Sequence, residues 1–63
     1  MHLRKLVATR KARGWTQERL AAESGISYNT LIKIERGGIL EPKIGTVIKL
    51  AKALKVKVDE LIQ

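Results

Sequence analysis

Sixty-three residues make one small domain that buries only about 60% of its unfolded surface, which leaves little room for an enclosed substrate cavity and disfavours an enzyme. Thirteen Lys and Arg against six Asp and Glu give a formal charge of +7, with no cysteine and with His2 as the only histidine. No disulfide framework or His/Cys metal site is therefore available, and helix packing alone must hold the fold.

The first predicted element follows from Leu3, Leu6, Val7 and Arg10, which recur at helical spacing while Arg4, Lys5 and Lys11 lie off that stripe. An amphipathic helix over residues 2–13, ended by Gly14, is expected. Thr16 then stands as an N-cap, its hydroxyl suited to an orphan amide of the next turn. Trp15 and Leu20 flank it at the positions of a hydrophobic staple. The staple accounts for Trp15 better than a stacking role does. A second helix spans about 17–24, with Leu20 and Ala21 inward. Gly25 supplies the positive φ that ends it and redirects the chain.

Ser27 repeats the cap, and Ile26 with Leu31 repeats the staple. The third helix runs from Tyr28 to about Arg36 with Leu31 and Ile34 inward and Gly37 beyond its end. At 100° per residue its opposite face is Asn29, Lys33 and Arg36, flanked by Tyr28 and Ile32. Residues 37–43, with two glycines and Pro42, read as a loop, in which Ile39 and Leu40 are expected to fold back as a lid on the core. A fourth helix, roughly 44–55, is expected to bury Ile44, Val47, Ile48, Ala51 and Leu54 while Lys49, Lys52 and Lys55 face water. A last short helix at about 58–62 carries Asp59 and Glu60 in its first turn, where the helix dipole favours acids.

Charge is unevenly distributed along these elements. Residues 1–36 carry a balance of +5 and residues 37–63 a balance of +2, so attraction to a polyanion centres on the first three helices. Charge alone leaves an anionic membrane or an acidic protein open as partners. The pair of capped helices one tight turn apart favours double-stranded DNA instead, because such a unit presents its second helix to a groove.

Several segments together resemble the phage-repressor and Cro-like helix-turn-helix domains, the Xre type. These are Arg10 and Arg13-Gly14, Thr16-Gln17-Glu18, Leu20-Ala21, Gly25-Ile26-Ser27, Ile34-Glu35-Arg36-Gly37, Pro42, Leu50-Ala51-Lys52-Ala53-Leu54 and Asp59-Glu60-Leu61. The likeness covers essentially the whole chain. Lys43, Lys55 and Lys57 depart from it, standing where the family often has a capping Ser, a Gly and a Ser or Thr. The resemblance implies an all-α, compact, lambda-repressor-like domain of four to five helices, with its third helix in a major groove. With the outward face of that helix it gives Tyr28, Asn29, Lys33 and Ile32 as base readers, with a phosphate the alternative for Tyr28 and a core-edge place the alternative for Ile32, and Gln17, Ser27, Thr30, Arg10, Arg36 and Lys43 as phosphate contacts. Lys11 and Arg13 are further candidates for phosphate. Asn suits adenine, and Lys33 suits guanine or a phosphate. Arg10 and Glu35 are expected to pair as a structural salt bridge. Val56, Val58, Leu61 and Ile62 offer a dimer contact, with return to the core the alternative for Leu61 and Ile62.

The expectation is a transcriptional regulator, a repressor occupying a palindromic operator as a homodimer, without cofactor, metal or small-molecule site. No Ser-His-Asp constellation, paired carboxylate site or Gly-rich phosphate loop occurs. Apolar runs fall far short of the ~20 residues that cross a bilayer, and nothing reads as a signal peptide. A cytoplasmic location is expected, either for a stand-alone regulator or for the N-terminal part of a larger one. Two other readings share the fold: an antitoxin-type interaction module that also binds DNA, and a monomeric scaffold. RNA is disfavoured because only Trp15 and Tyr28 could stack bases.

Overall fold

The computed structural model describes residues 2–62. Five helices follow in chain order: α1 (Leu6–Ala12), α2 (Gln17–Ser24), α3 (Tyr28–Arg36), α4 (Ile44–Leu54) and α5 (Val58–Ile62). Helix α2 is the centre of the packing, touching both α3 and α4, while α5 joins α4 to α1. Leu6, Leu20, Leu31, Leu50, Leu54, Leu61 and Val47 are fully buried between them, each contributing about 1.5–3 kcal/mol relative to exposure.

Local signals set most of the boundaries. Thr16 Oγ1 accepts a hydrogen bond from the Arg19 amide at 3.0 Å, and Ser27 Oγ accepts one from the Thr30 amide at 3.1 Å. Gly25 closes α2 at φ 74° and Gly37 closes α3 at φ 84°, in the left-handed region that disfavours a Cβ. The Gly38 amide then returns to the Lys33 carbonyl at 2.8 Å, taking up one of the carbonyls that a helix leaves unsatisfied at its end.

The start of the first helix departs from expectation. Residues 2–5 are not helical, and α1 begins at Leu6 with Lys5 as a cap that makes no side-chain bond. The reason is tertiary: the Lys5 amide donates to the Leu61 carbonyl of α5 at 2.9 Å, and Leu3 is buried in the core. Those contacts hold the segment as a docked turn.

Helix α4 also presents a different face from the one expected. It buries Val47, Leu50, Ala51 and Leu54, whereas Ile44 and Ile48 are 55% and 41% exposed. The buried arc is centred on Val47 and Leu54 and is turned toward Leu50, away from Ile44 and Ile48, on a helix that both α2 and α5 pack against. The helix ends at Leu54, with Lys55 at φ 57° as a left-handed cap, and starts at Lys43 without a side-chain cap bond. The loop before it divides: Ile39 packs on the core as the lid, but Leu40 remains 57% exposed. At α5, Glu60 reaches back to accept from the Lys57 amide at 2.8 Å, so the start is capped although Lys57 is no capping residue.

Candidate nucleic-acid interface

Helix α3 turns Leu31 and Ile34 to the core, which leaves Asn29, Lys33 and Arg36 exposed on the opposite side, with Tyr28 beside them and Ile32 half-buried at the edge. The side chains of Tyr28, Asn29, Lys33 and Arg36 make no hydrogen bond or ion pair among the described residues. Their polar groups are free to meet an outside partner. The turn from Gly25 to Ser27 and the Ser27 cap fix the direction in which α3 leaves α2. The positions of its outward residues are thereby tied to the core.

Beneath this face lies a buried polar cluster. Arg10 Nε and Nη2 donate to Glu35 Oε2 and Oε1 at 2.8 and 3.1 Å, and Arg10 Nη1 donates to the Trp15 carbonyl at 2.8 Å. Gln17 Nε2 donates to Glu35 Oε1 at 2.8 Å. Glu35 thus joins α1, α2 and α3 at one point, with both carboxylate oxygens engaged. Arg10 is only 8% exposed and makes the structural pair expected of it, with one proton on each of Nη1 and Nη2 left over for the phosphate contact also expected of it. Gln17 keeps one amide proton free at the start of α2, where helix amides and dipole favour an anion.

Other expected contacts vary in how much they leave open. Ser27 Oγ donates to Thr30 Oγ1 at 2.8 Å while capping the Thr30 amide, so the Thr30 hydroxyl proton is the one donor of that pair not committed. Lys43 is exposed at the head of α4, and Lys11 is exposed on α1. Arg13, also suggested for phosphate, is exposed and partly committed within the domain. Its Nε donates to the Leu54 carbonyl at 2.8 Å, and its guanidinium lies 5.3 Å from the centroid of the Trp15 ring. Arg19 lies over the same ring at 5.0 Å and also bonds Glu23 Oε2 at 2.9 Å. Sequence reasoning missed this cluster, although the sole tryptophan with an arginine two residues before and four after it was a usable signal. It also missed the Gln17–Glu35 bond, which depends on how α2 crosses α3.

Leu61 is fully buried, taking the core alternative rather than the dimer contact. Val56, Val58 and Ile62 are half-buried and pack on the core. Among the described residues no group of His, Cys, Asp and Glu could hold a metal ion, and no helix is long and apolar enough to cross a membrane.

Fold and face together define a basic all-helical domain built around a capped helix-turn-helix. Residues 6–61 match the family described as helix-turn-helix, and the chain belongs to that Xre/Cro-like family. It is 47% identical over 53 residues to the HTH-type transcriptional regulator RghRB of Bacillus subtilis strain 168, covering 84% of this chain and 38% of the relative. Over 52 residues it is 40% identical to the HTH-type transcriptional regulator SlrR of the same strain, 82% of this chain and 34% of the relative. The HTH-type regulator YazB of that strain is 41% identical over 58 residues, 92% of this chain and 83% of the relative. The chain therefore spans little more than a third of the first two relatives and most of the third. No solved structure matches it.

Proposed function

We propose that this chain binds double-stranded DNA sequence-specifically and regulates transcription as a repressor, two copies occupying an approximately palindromic operator. The observation that carries the reading is the uncommitted polar face of α3, Tyr28, Asn29, Lys33 and Arg36, held on a doubly capped helix-turn-helix above the Arg10–Glu35–Gln17 cluster. The charge of +7 and the family of transcriptional regulators around it support the same conclusion. In this reading α3 enters the major groove and Asn29 pairs with adenine N6 and N7, while Lys33 reaches guanine or the backbone. Gln17, Thr30, Arg36 and Lys43 bond phosphates, which position the domain without reading sequence. Repression follows from occupancy of the promoter.

Selection of bound sites from a random duplex pool tests this. The parent should recover a defined half-site, and Asn29→Ala should relax preference at one base position, losing about 1–3 kcal/mol of discrimination. Unchanged base preferences in Asn29→Ala would remove it from the reading set. Recovery of no preferred site by the parent would overturn the function itself.

A further inference from the structure

A groove of about 460 Å3 runs between the docked N-terminal turn and the carboxyl end of α3. Buried Leu3 and Ile34 and half-buried Val7 form its apolar floor, and exposed His2, Arg4 and Arg36 stand at its rim. We propose that this groove is an additional DNA-backbone subsite, in which Arg4 and Arg36 hold a phosphate at the carboxyl end of the recognition helix. The inference rests on the DNA-binding reading and adds Arg4 to it.

Charge is the first argument. Glu35 is the one acid lining the groove, and its carboxylate is already neutralised by Arg10 and bonded by Gln17. Arg4 and Arg36 have no ion pair or side-chain hydrogen bond among the described residues. The carboxyl end of α3 opposes an anion here, but its dipole is equivalent to roughly half an elementary charge, less than either arginine supplies. The groove is therefore net attractive to a phosphate.

Position is the second argument. Arg36 shares the outward face of α3 with Asn29 and Lys33, so the groove continues directly from the surface proposed to read bases. An apolar floor flanked by two guanidinium groups suits a backbone in which charged phosphates alternate with deoxyribose carbons. Preorganisation is the third. The Lys5 amide bonds the Leu61 carbonyl at 2.9 Å, the Arg4 amide bonds the His2 carbonyl at 3.0 Å and Leu3 is buried, so the main chain under Arg4 is already fixed. Binding has only the side chain to order. A continuous helix from residue 2 would not have built this rim.

The test uses the full chain, the duplex recovered by site selection and a scrambled duplex of equal length, each titrated over a range of salt concentrations. Arg4→Ala should weaken both duplexes by a similar factor and lower the slope of log affinity against log salt, by less than the roughly 0.9 of one phosphate contact because Arg36 remains beside it, with Arg4→Ala combined with Arg36→Ala removing the full amount. Arg4→Lys should restore the slope, and Lys49→Ala, on the exposed side of α4, should leave it unchanged. Ethylation interference at one phosphate should weaken for Arg4→Ala and disappear when Arg36→Ala is added. A slope for Arg4→Ala equal to that of Lys49→Ala overturns the subsite while leaving base reading by Asn29 intact. An Arg4-dependent rise in melting temperature with inorganic phosphate, combined with an unchanged DNA slope, would also overturn it by assigning the groove to a free anion. A parent that selects no duplex overturns both this subsite and the function on which it rests.

Discussion

Removing the Glu35 carboxylate strands two donors together, the Arg10 guanidinium and the Gln17 amide. Arg10 and Glu35 side chains are only 10% and 4% exposed, and breaking such a pair leaves a buried charge costing about 3–5 kcal/mol. The Arg19–Glu23 pair is 56% and 45% exposed, and an exposed i,i+4 pair contributes only about 0.3–0.5 kcal/mol. Glu35→Ala is therefore expected to lower the urea midpoint far more than Glu23→Ala. Arg10→Met combined with Glu35→Leu should recover much of the loss, because neither charge is then orphaned. Similar midpoints for the two single variants would show the cluster to be solvated. Lys55 is the other position under local tension. It is the only non-glycine residue at positive φ among those described, at 57°, a conformation that disfavours a Cβ by roughly 1–2 kcal/mol. Lys55→Gly removes that contact, and the gain is partly offset by the freedom glycine has when unfolded. A higher urea midpoint at unchanged m-value, corresponding to about 0.5–1 kcal/mol, is the expected outcome.

The end of α4 is held by a residue from the opposite end of the chain. Arg13 donates to the Leu54 carbonyl and lies over Trp15, so it ties the α1–α2 turn to the carboxyl end of α4. Arg13→Ala is expected to destabilise by about 1 kcal/mol, the net worth of one hydrogen bond, and to change Trp15 fluorescence in the native state. Unchanged emission would show that the ring and guanidinium do not associate in solution. Such links explain which elements could be read in advance. Helices α2 and α3 were legible to the residue because Thr16, Ser27, Gly25 and Gly37 act within one turn of their own positions. The start of α1 was not, since the bond from Lys5 to Leu61 joins opposite ends of the sequence. The buried face of α4 was ambiguous for another reason: Ile44, Val47, Ile48, Leu50, Ala51 and Leu54 spread over an arc of about 160°, and periodicity cannot decide which part of it neighbours will cover. In the candidate interface, the outward residues of α3 followed from helical phase alone. Arg4 did not, because its rim forms only when residues 2–5 leave the helix.

Size limits how two copies can meet. The Cα trace measures 23 × 23 × 18 Å, and side chains add about 3 Å on each side, giving a body roughly 30 Å across. Half-sites one helical turn apart place two domains about 34 Å from centre to centre, so neighbouring copies would touch only along their edges. A free dimer should accordingly be weak, with DNA supplying the proximity that makes the second contact effectively intramolecular. Titrating a duplex of one half-site against a duplex of two should show higher affinity per half-site in the second. Val58→Asp and Ile48→Asp test two edges for that contact, and Leu61→Asp is unsuitable because it would disrupt the core. Equal affinity per half-site in the parent would leave a monomeric binder. One property of α3 also bears on descent. Since Tyr28, Asn29, Lys33 and Arg36 bond to nothing inside the domain, they can be exchanged without disturbing caps, core or the Glu35 cluster. The face proposed to read bases is thus mechanically separate from the part that folds. If that face reads bases as proposed, chains that share the same interior can diverge to unrelated targets, and kinship measured over the body of the domain would not reveal the target of any one of them.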